Sequence, residues 1–155
     1  MGKDKIRKFK ENETFRCLIQ PPMDEVLHKD HPLKGHWGTE VFGNDRPIIL
    51  ELGCGKGEYT IALAERFPEN NYIGVDIKGA RLWKGAKYAT EHAMPNVAFL
   101  RTRCGTDVFG AGFAEIFSAD ILIAALSVLA AKPAAFIAKE FHFIFLGLGQ
   151  VVQLF

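Results

Sequence analysis

The stretch that decides the fold is IILELGCGKGEYTIALAERFPENNYIGVDI, residues 48–77. Its first residues, Ile48–Leu52, are mostly apolar, form a run too short for a typical helix, and lie between Pro47 and a glycine. They predict a buried strand. Alternating glycines follow in GCGKG, so the backbone can adopt positive φ and approach a ligand without interference from a Cβ atom. These are Gly53, Gly55 and Gly57.

The rest of this stretch predicts a helix and a second strand. Apolar residues between Tyr59 and Phe67 supply a helical face, and Pro68 closes the helix. The strand Tyr72–Asp76 then ends in a carboxylate. A strand, a glycine turn, a helix and a strand tipped with an acid form the layout of a nucleoside-binding α/β half-domain.

Two common nucleotide motifs do not fit this turn. A dinucleotide fingerprint, G-x-G-x-x-G counted from Gly53, needs a third glycine where Glu58 stands. A P-loop needs a hydroxyl residue directly after its lysine, and Lys56 is followed by Gly57. The spacing therefore disfavours both NAD binding and ATP hydrolysis.

An acid stands on each side of the turn. Glu51 precedes it and Asp76 ends the next strand, an arrangement that resembles the first two motifs of class I S-adenosylmethionine methyltransferases. In that group the turn lies against the methionine portion of the cofactor, and the second acid accepts hydrogen bonds from the ribose hydroxyls. The alternative is a glycine turn in an ordinary α/β protein.

Length and composition predict one small globular domain, since 155 residues with 48% hydrophobic content supply a sizeable core. The formal net charge is +1, but only two of the 19 Lys and Arg residues follow residue 103, so the basic character lies at the front. Three cysteines without C-x-x-C spacing indicate neither a disulfide framework nor a zinc site and favour a reducing compartment. No apolar segment follows the basic N-terminus, so no secretory signal is predicted.

Basic residues crowd residues 1–16. Such an arm can neutralise phosphates, but the charge run by itself favours a solvated, poorly ordered terminus. The prolines and glycines of residues 17–46 predict an irregular lead-in that packs beside the first strand. Its histidines, His28, His31 and His36, lack a carboxylate or cysteine partner at ligand spacing and are interpreted as surface residues, not as a metal site.

A second helix, over residues 78–94, carries a series of basic residues. Lys78 and Arg81 are three residues apart, as are Lys84 and Lys87, so each pair can share a helix face. A basic ridge of this kind would border the cofactor site. An ordinary solvated helix face is the alternative.

A third strand is predicted over residues 97–100, and with it a family resemblance becomes specific. It is carried by the blocks KFKENETF, DEVLHKDHPLKGHW, EVFGNDRPIILELGCGKGEYTIALAERFPENNYIGVDIKGARLWKGAK and NVAFLRTR, which lie within residues 5–103. In these blocks the chain resembles the bacterial tRNA (guanine-N7-)-methyltransferase family. The resemblance implies a Rossmann-like sheet, S-adenosylmethionine as methyl donor, and a guanine in the variable loop of tRNA as acceptor.

The resemblance also implies roles for particular residues. It matches Glu51 and Asp76 to the family's cofactor-contacting acids, and it matches the turn residues Gly53, Gly55 and Gly57 to the family's turn. The family usually has a further acid or amide just after the third strand, where Arg103 stands here. For the rim that would retain the RNA, the candidates are Lys78, Arg81 and Lys84.

The implied chemistry needs no general base, and no catalytic residue is assigned. Guanine N7 has an in-plane lone pair and no proton to lose, so it can attack the sulfonium methyl group directly. Holding donor and acceptor in line can contribute about 7 to 11 kcal/mol in favourable cases. The target base must also be presented out of its stack.

The resemblance ends at Arg103. The family's F-P-D-P-type motif and its later threonine- and glutamate-containing motif are missing from the apolar residues that follow. One explanation is a divergent continuation, with a helix over residues 113–131 and strands over 141–146 and 151–155. A membrane segment is a second, although the apolar run 121–131 is too short to span a bilayer. The third, which we favour, is a frame change or truncation of a longer gene.

We therefore expect a basic arm and lead-in over residues 1–46, an S-adenosylmethionine-binding, Rossmann-like α/β core over residues 47–103, and an apolar tail over residues 104–155 that leaves the fold incomplete or altered. The expected function is methyl transfer to guanine N7 of tRNA, in the cytoplasm, with tRNA as partner and neither DNA nor a membrane. The alternatives are a remnant that binds cofactor or RNA without turnover, and a class I methyltransferase with another substrate.

Overall fold

The computed structural model describes residues 2–22, 30–102, 144–146 and 150–152. Helix α1 (Lys3–Asn12), strand β1 (Leu18–Ile19) and a six-residue π-helical segment (Trp37–Phe42) come first. Strands and helices then alternate through β2 (Ile48–Leu52), α2 (Glu58–Arg66), β3 (Asn71–Asp76), α3 (Gly79–Glu91) and β4 (Val97–Arg101). Two short strands, β5 (Ile144–Leu146) and β6 (Gln150–Val152), complete the described part of the chain.

Four parallel strands form the central sheet in the order β1-β4-β3-β2. Helix α2 connects β2 to β3, and α3 connects β3 to β4, so the chain contains two consecutive βαβ units. Because all four strands run in one direction, their carboxyl ends share one edge of the sheet. The predicted α/β, Rossmann-like fold is confirmed, and the strands and helices predicted over residues 48–103 form within one or a few residues of their expected bounds.

Apolar residues cover both faces of the sheet, as the short apolar runs predict. On one face, alternate strand residues pack with Trp37 and Phe42; this set also contains Ile48, Leu50, Ile73, Val75, Ala98 and Leu100. The other face packs under α2 and α3, with Ile49, Tyr72, Val97 and Phe99 from the strands and Ile61, Ala64, Leu82, Ala86 and Ala89 from the helices.

Phe99 in β4 lies in a cage formed by three glycines of different elements. A Cβ atom on Gly85 of α3 would lie 2.6 Å from its Cζ atom, and one on Gly74 of β3 would lie 2.9 Å from its Cδ1 atom. A Cβ atom on Gly57, in the glycine turn, would overlap the same ring. Phe99 is fully buried. The missing side chains therefore let the turn and α3 close onto one aromatic ring.

Helix α1 packs against α3, so the prediction of a poorly ordered N-terminus is wrong for these residues. The Nδ2 atom of Asn12 donates to the carbonyl of Gly79 at 2.9 Å, and the indole Nε1 of Trp83 donates to Glu11 Oε2 at 2.6 Å. The hydrogen bond from Trp83 is the main cause that lowers the pKa of the Glu11 carboxyl. Cationic groups of Arg7 and Lys8 lie 5.1 and 5.0 Å from a ring centroid of Trp83. The charged residues of α1 thus serve a tertiary contact.

The described residues of the lead-in, 17–22 and 30–46, are more ordered than its composition predicts. Strand β1 joins the sheet through β4, with Leu18 opposite Phe99, and Trp37 is almost fully buried. The lead-in therefore contributes to the sheet and to its core, and does not merely lie beside the first strand. Residues 23–29 of the lead-in lie outside the described residues.

Two elements expected in the tail overlap residues that the structure describes. Strands β5 and β6 overlap the two expected strands, but they pair with each other in an antiparallel two-stranded sheet and do not extend the parallel one. The helix expected over residues 113–131 lies outside the described residues. Among the helices that the structure describes, none has the length and apolar character needed to cross a membrane.

The cage around Phe99 predicts the effect of Gly85→Ala. Alanine is favoured over glycine in a helix by about 1 kcal/mol, yet here the new Cβ would also meet the carbonyl oxygen of Lys56 at 2.8 Å. Overpacking should prevail and lower the free energy of unfolding by about 1 to 3 kcal/mol. Urea denaturation measures this.

Gly2→Ala is the control for the Gly85 variant, because a Cβ atom there meets nothing within 4 Å. Because Gly2 is the N-cap of α1, where alanine is less favourable than glycine, we expect it to lower stability by less than about 1 kcal/mol. A Gly85→Ala variant as stable as the wild type would contradict the tight packing around Phe99.

Candidate functional site

The glycine turn follows β2 at the carboxyl edge of the sheet. All three of its glycines have positive φ, which is 72° at Gly53, 59° at Gly55 and 71° at Gly57. The N–H of Gly57 donates to the carbonyl of Cys54 at 2.9 Å, and the N–H of Cys54 donates to the carbonyl of Val75 at 3.0 Å. The turn is therefore fixed to β3, and α2 begins immediately after it.

The outer part of the turn is open to a ligand. Cβ atoms on Gly53 or Gly55 would meet no atom within 4 Å, whereas Gly57 rests on Phe99. Backbone conformation thus favours glycine at the first two positions, and close packing requires it at the third. The turn has one face supported by the core and one face available for contact.

Asp76 connects this turn to the start of α3. Its Oδ2 atom accepts the N–H of Gly55 at 3.0 Å, and its Oδ1 atom accepts the N–H of Lys78 at 2.6 Å. The side chain is nearly buried, with 7% exposure. Each carboxylate oxygen has two lone pairs, so both can accept another hydrogen bond while holding the backbone groups.

Glu51, in β2, is the second acid of the site. It is half-buried, and its Oε2 atom accepts a hydrogen bond from the hydroxyl of Thr60 in the first turn of α2. Thr60 is 1% exposed. The sequence interpretation did not identify this threonine. Its spacing of four residues from the apolar Ala64 could have indicated that its hydroxyl lies on the buried face of the helix.

The structure therefore places all five predicted cofactor residues at one edge of the sheet. Asp76 contacts the turn directly, and Glu51 lies in the strand that leads into it. This juxtaposition supplies two carboxylates and an open glycine backbone within one site. Whether these residues bind a cofactor stays a prediction.

The predicted basic residues of α3 differ in their surroundings. Lys78 and Arg81 are exposed, and within the described residues neither has an acidic partner. The Nζ atom of Lys84 instead lies 2.5 Å from Glu58 Oε1, and this contact lowers the pKa of the Glu58 carboxyl. Lys84 is thus partly neutralised, while Lys78 and Arg81 form no ion pair within the described residues.

Arg101, at the end of β4, adds a positive charge that the sequence interpretation did not include among the RNA-binding candidates. It is exposed, its Nε atom donates to the carbonyl of Ile77 at 3.3 Å, and its guanidinium lies 5.2 Å from the ring centroid of Phe9. The available signal was its position directly after a predicted strand. Arg103, at the position where the family usually has an acid or amide, lies outside the described residues.

The cysteines and histidines give no metal centre among the residues that the structure describes. Cys17 and Cys54 are not joined by a disulfide bond, and burial raises the pKa of the Cys17 thiol. His31 accepts the N–H of Leu33 through Nδ1 at 3.2 Å, and His36 is exposed. His28 lies outside the described part of the chain.

Comparisons with known proteins relate the chain to methyltransferases. Residues 45–116 match a family model described as a putative methyltransferase. A protein of Christiangramia forsetii named tRNA (guanine-N(7)-)-methyltransferase is 56% identical over 102 residues. Proteins of the same name from Porphyromonas gingivalis and Rubrobacter xylanophilus are 55% identical over 92 residues and 34% identical over 100 residues.

These alignments cover 66%, 58% and 64% of this chain. They cover 46%, 38% and 45% of the three relatives, so the chain spans less than half the length of the proteins it matches. The resemblance to the bacterial tRNA (guanine-N7-)-methyltransferase family is confirmed over this part of the chain.

The contacts of Asp76 predict that Asp76→Asn weakens the fold around the turn. An amide has one acceptor oxygen, so its NH₂ group would face one of the two backbone N–H groups that the carboxylate now satisfies. Leaving such a group without a partner should lower the free energy of unfolding by about 1 to 3 kcal/mol. Chemical denaturation at neutral pH tests this.

Asp45→Asn provides the matched control, because it removes the same charge from an exposed residue before β2. Its effect should stay below about 0.5 kcal/mol. Equal stability of the two variants would show that the Asp76 carboxylate is not needed to hold the turn.

Proposed function

We propose that this chain carries the S-adenosylmethionine-binding part of an enzyme that methylates N7 of a guanine in tRNA. The observation that carries the proposal is the glycine turn held by the Asp76 carboxylate, in a chain whose relatives are named tRNA (guanine-N(7)-)-methyltransferases. The open backbone of the turn supports a site for a ligand that contacts main-chain atoms, and the relatives' names indicate the proposed reaction.

The charges of the site suit this cofactor. S-adenosylmethionine carries a sulfonium and an ammonium group, and both are attracted to a site with two carboxylates. Asp76 would accept hydrogen bonds from the ribose diol through its remaining lone pairs, since a carboxylate only accepts. The open backbone of Gly53 and Gly55 would lie against the methionine portion, leaving Glu51 as the carboxylate for the ammonium group.

The proposed reaction requires the protein mainly to position the methyl donor and the acceptor. The cofactor supplies an electrophilic methyl group, and guanine N7 supplies an in-plane lone pair without a proton to remove. The residues of this chain therefore bind and orient the donor, and no general base is required of them. Holding the two reactants in line can lower the activation free energy by about 7 to 11 kcal/mol in favourable cases.

Two other functions fit the same site. A chain that spans less than half of its relatives and keeps the donor site can bind cofactor or RNA without turnover. A class I methyltransferase with another substrate would use the same donor site with a different acceptor pocket. The first alternative differs from the proposal because it performs no methyl transfer, and the second differs in the acceptor.

The deciding experiment is calorimetric titration of the purified chain with S-adenosylmethionine, followed by methyl transfer to unmodified tRNA in the same preparation. Nucleoside mass spectrometry identifies the methylated base. Binding followed by N7-methylguanosine formation is the expected result. Asp76→Asn should bind the cofactor at least about tenfold more weakly, and Asp45→Asn should bind it as the wild type does.

Other outcomes separate the alternatives. Binding without transfer would support a cofactor-binding remnant. Binding with transfer to another acceptor but not to tRNA would support a different substrate. A folded sample that binds no cofactor would contradict the proposal.

We also propose that Lys78 and Arg81 contact tRNA phosphates. Both are exposed at the start of α3, which follows Asp76 in the chain, and both lack an acidic partner within the described residues. Phosphate contacts of this kind bind without reading sequence and release counterions, so their number sets the salt dependence of affinity. Lys84 should contribute less, because Glu58 already neutralises it.

The prediction is that Lys78→Ala and Arg81→Ala each weaken tRNA binding and reduce the slope of log affinity against log salt by about one. Lys84→Ala is the matched control, because Lys84 lies in α3, whose N-cap is Lys78, and has the same side chain as Lys78. It should change the slope less. Filter binding or fluorescence anisotropy at several salt concentrations measures the slope. Equal slopes in all three variants would rule out this assignment.

A further inference from the structure

We infer that Thr60 is a positioning residue whose hydroxyl holds the Glu51 carboxylate ready for the ammonium group of the cofactor's amino-acid portion. This inference deepens the proposed function and rests on it. It assigns a task to a residue that contacts the acid and not the cofactor.

The first support is the placement of the hydroxyl. Thr60 is 1% exposed and lies in the first turn of α2, directly after the glycine turn. Its Oγ1 atom donates to Glu51 Oε2, so the contact joins the helix to the strand across the turn. A buried hydroxyl needs a partner, and a carboxylate acceptor makes the bond stronger than a bond between neutral groups.

The second support is the space that the sheet leaves for this pair. Gly74 of β3 is the direct neighbour of Glu51 in the strand register. A Cβ atom on Gly74 would lie 2.8 Å from Thr60 Oγ1 and 2.9 Å from two atoms of the Phe99 ring. The hydroxyl therefore occupies a confined place above β3, where it has little freedom to turn away from Glu51.

A fixed carboxylate matters for a ligand with a compact cation. An ammonium group attracts an acid in any orientation, but a carboxylate that is already oriented loses less conformational freedom when the ligand binds. Removing the hydroxyl should therefore weaken the binding of ligands that carry the ammonium group. Ligands without the amino-acid portion should be nearly unaffected, because they do not reach Glu51.

Two pairs of variants isolate the hydroxyl. Thr60→Val has the shape of threonine without the hydroxyl. Thr60→Ser and Thr60→Ala differ from each other by a single oxygen atom, and they provide a second comparison should the valine variant fail to fold. Glu51→Gln removes the charge that the hydroxyl is inferred to orient.

The probes are S-adenosylhomocysteine and 5′-methylthioadenosine, titrated by calorimetry. Both contain adenosine and a thioether sulfur, but only the first has the ammonium and carboxylate groups. We expect Thr60→Val and Thr60→Ala to reduce the preference for S-adenosylhomocysteine about tenfold, as for the loss of a hydrogen bond to a charged group. Thr60→Ser should retain the wild-type preference. In a Glu51→Gln background, Thr60→Val should have little further effect, because the two residues act as one unit.

The outcomes distinguish this inference from the function on which it rests. If the wild type binds neither probe, the proposed function fails and the inference fails with it. If the wild type binds both, equal losses for the two probes in Thr60→Val would show a purely structural role. An undiminished preference in Thr60→Val and Thr60→Ala, or additive effects with Glu51→Gln, would also overturn the inference.

Discussion

The close packing of three backbones around the ring of Phe99 is the constraint on which the rest of the site depends. Gly57, Gly74 and Gly85 come from the turn, the central strand and the following helix, and each lacks the one atom that would collide with the ring. Close packing of this kind has little room to adjust, because protein interiors are as dense as organic crystals. The Phe99 side chain therefore determines both the distance of the turn from the sheet and the distance of α3 from the sheet.

The two acids of the site are held in different ways. Asp76 accepts hydrogen bonds from the backbone at Gly55 and Lys78, so its position follows the main chain. Glu51 is held by the side chain of Thr60, which depends on how α2 packs. A shift of α2 would therefore change the hydrogen bond that Thr60 donates to Glu51, whereas the backbone hydrogen bonds to Asp76 come from residues outside α2. The methionine side of the proposed site is accordingly more sensitive to substitutions in α2 than the ribose side.

Sequence reasoning recovered the features that depend on local patterns. The strand, turn, helix and strand between Ile48 and Asp76 form as predicted, because apolar runs, glycines and Pro68 determine them over a few residues. The same reasoning brought Glu51 and Asp76 to one edge, since parallel strands end together. It missed the order of α1, because the bonds that fix this helix join Glu11 to Trp83 and Asn12 to Gly79, more than 60 residues apart. Propensity and charge patterns carry no information about such contacts.

The docking of α1 also constrains how the chain can fold while it is being made. Helix α1 is synthesised before α3, and its partner Trp83 is added 72 residues after Glu11. At typical synthesis rates this takes roughly 4 to 15 seconds. An isolated ten-residue helix is marginal in water, so α1 must wait as a charged, solvated coil. The acids and bases along it, which later surround Trp83, keep the nascent segment soluble during this interval.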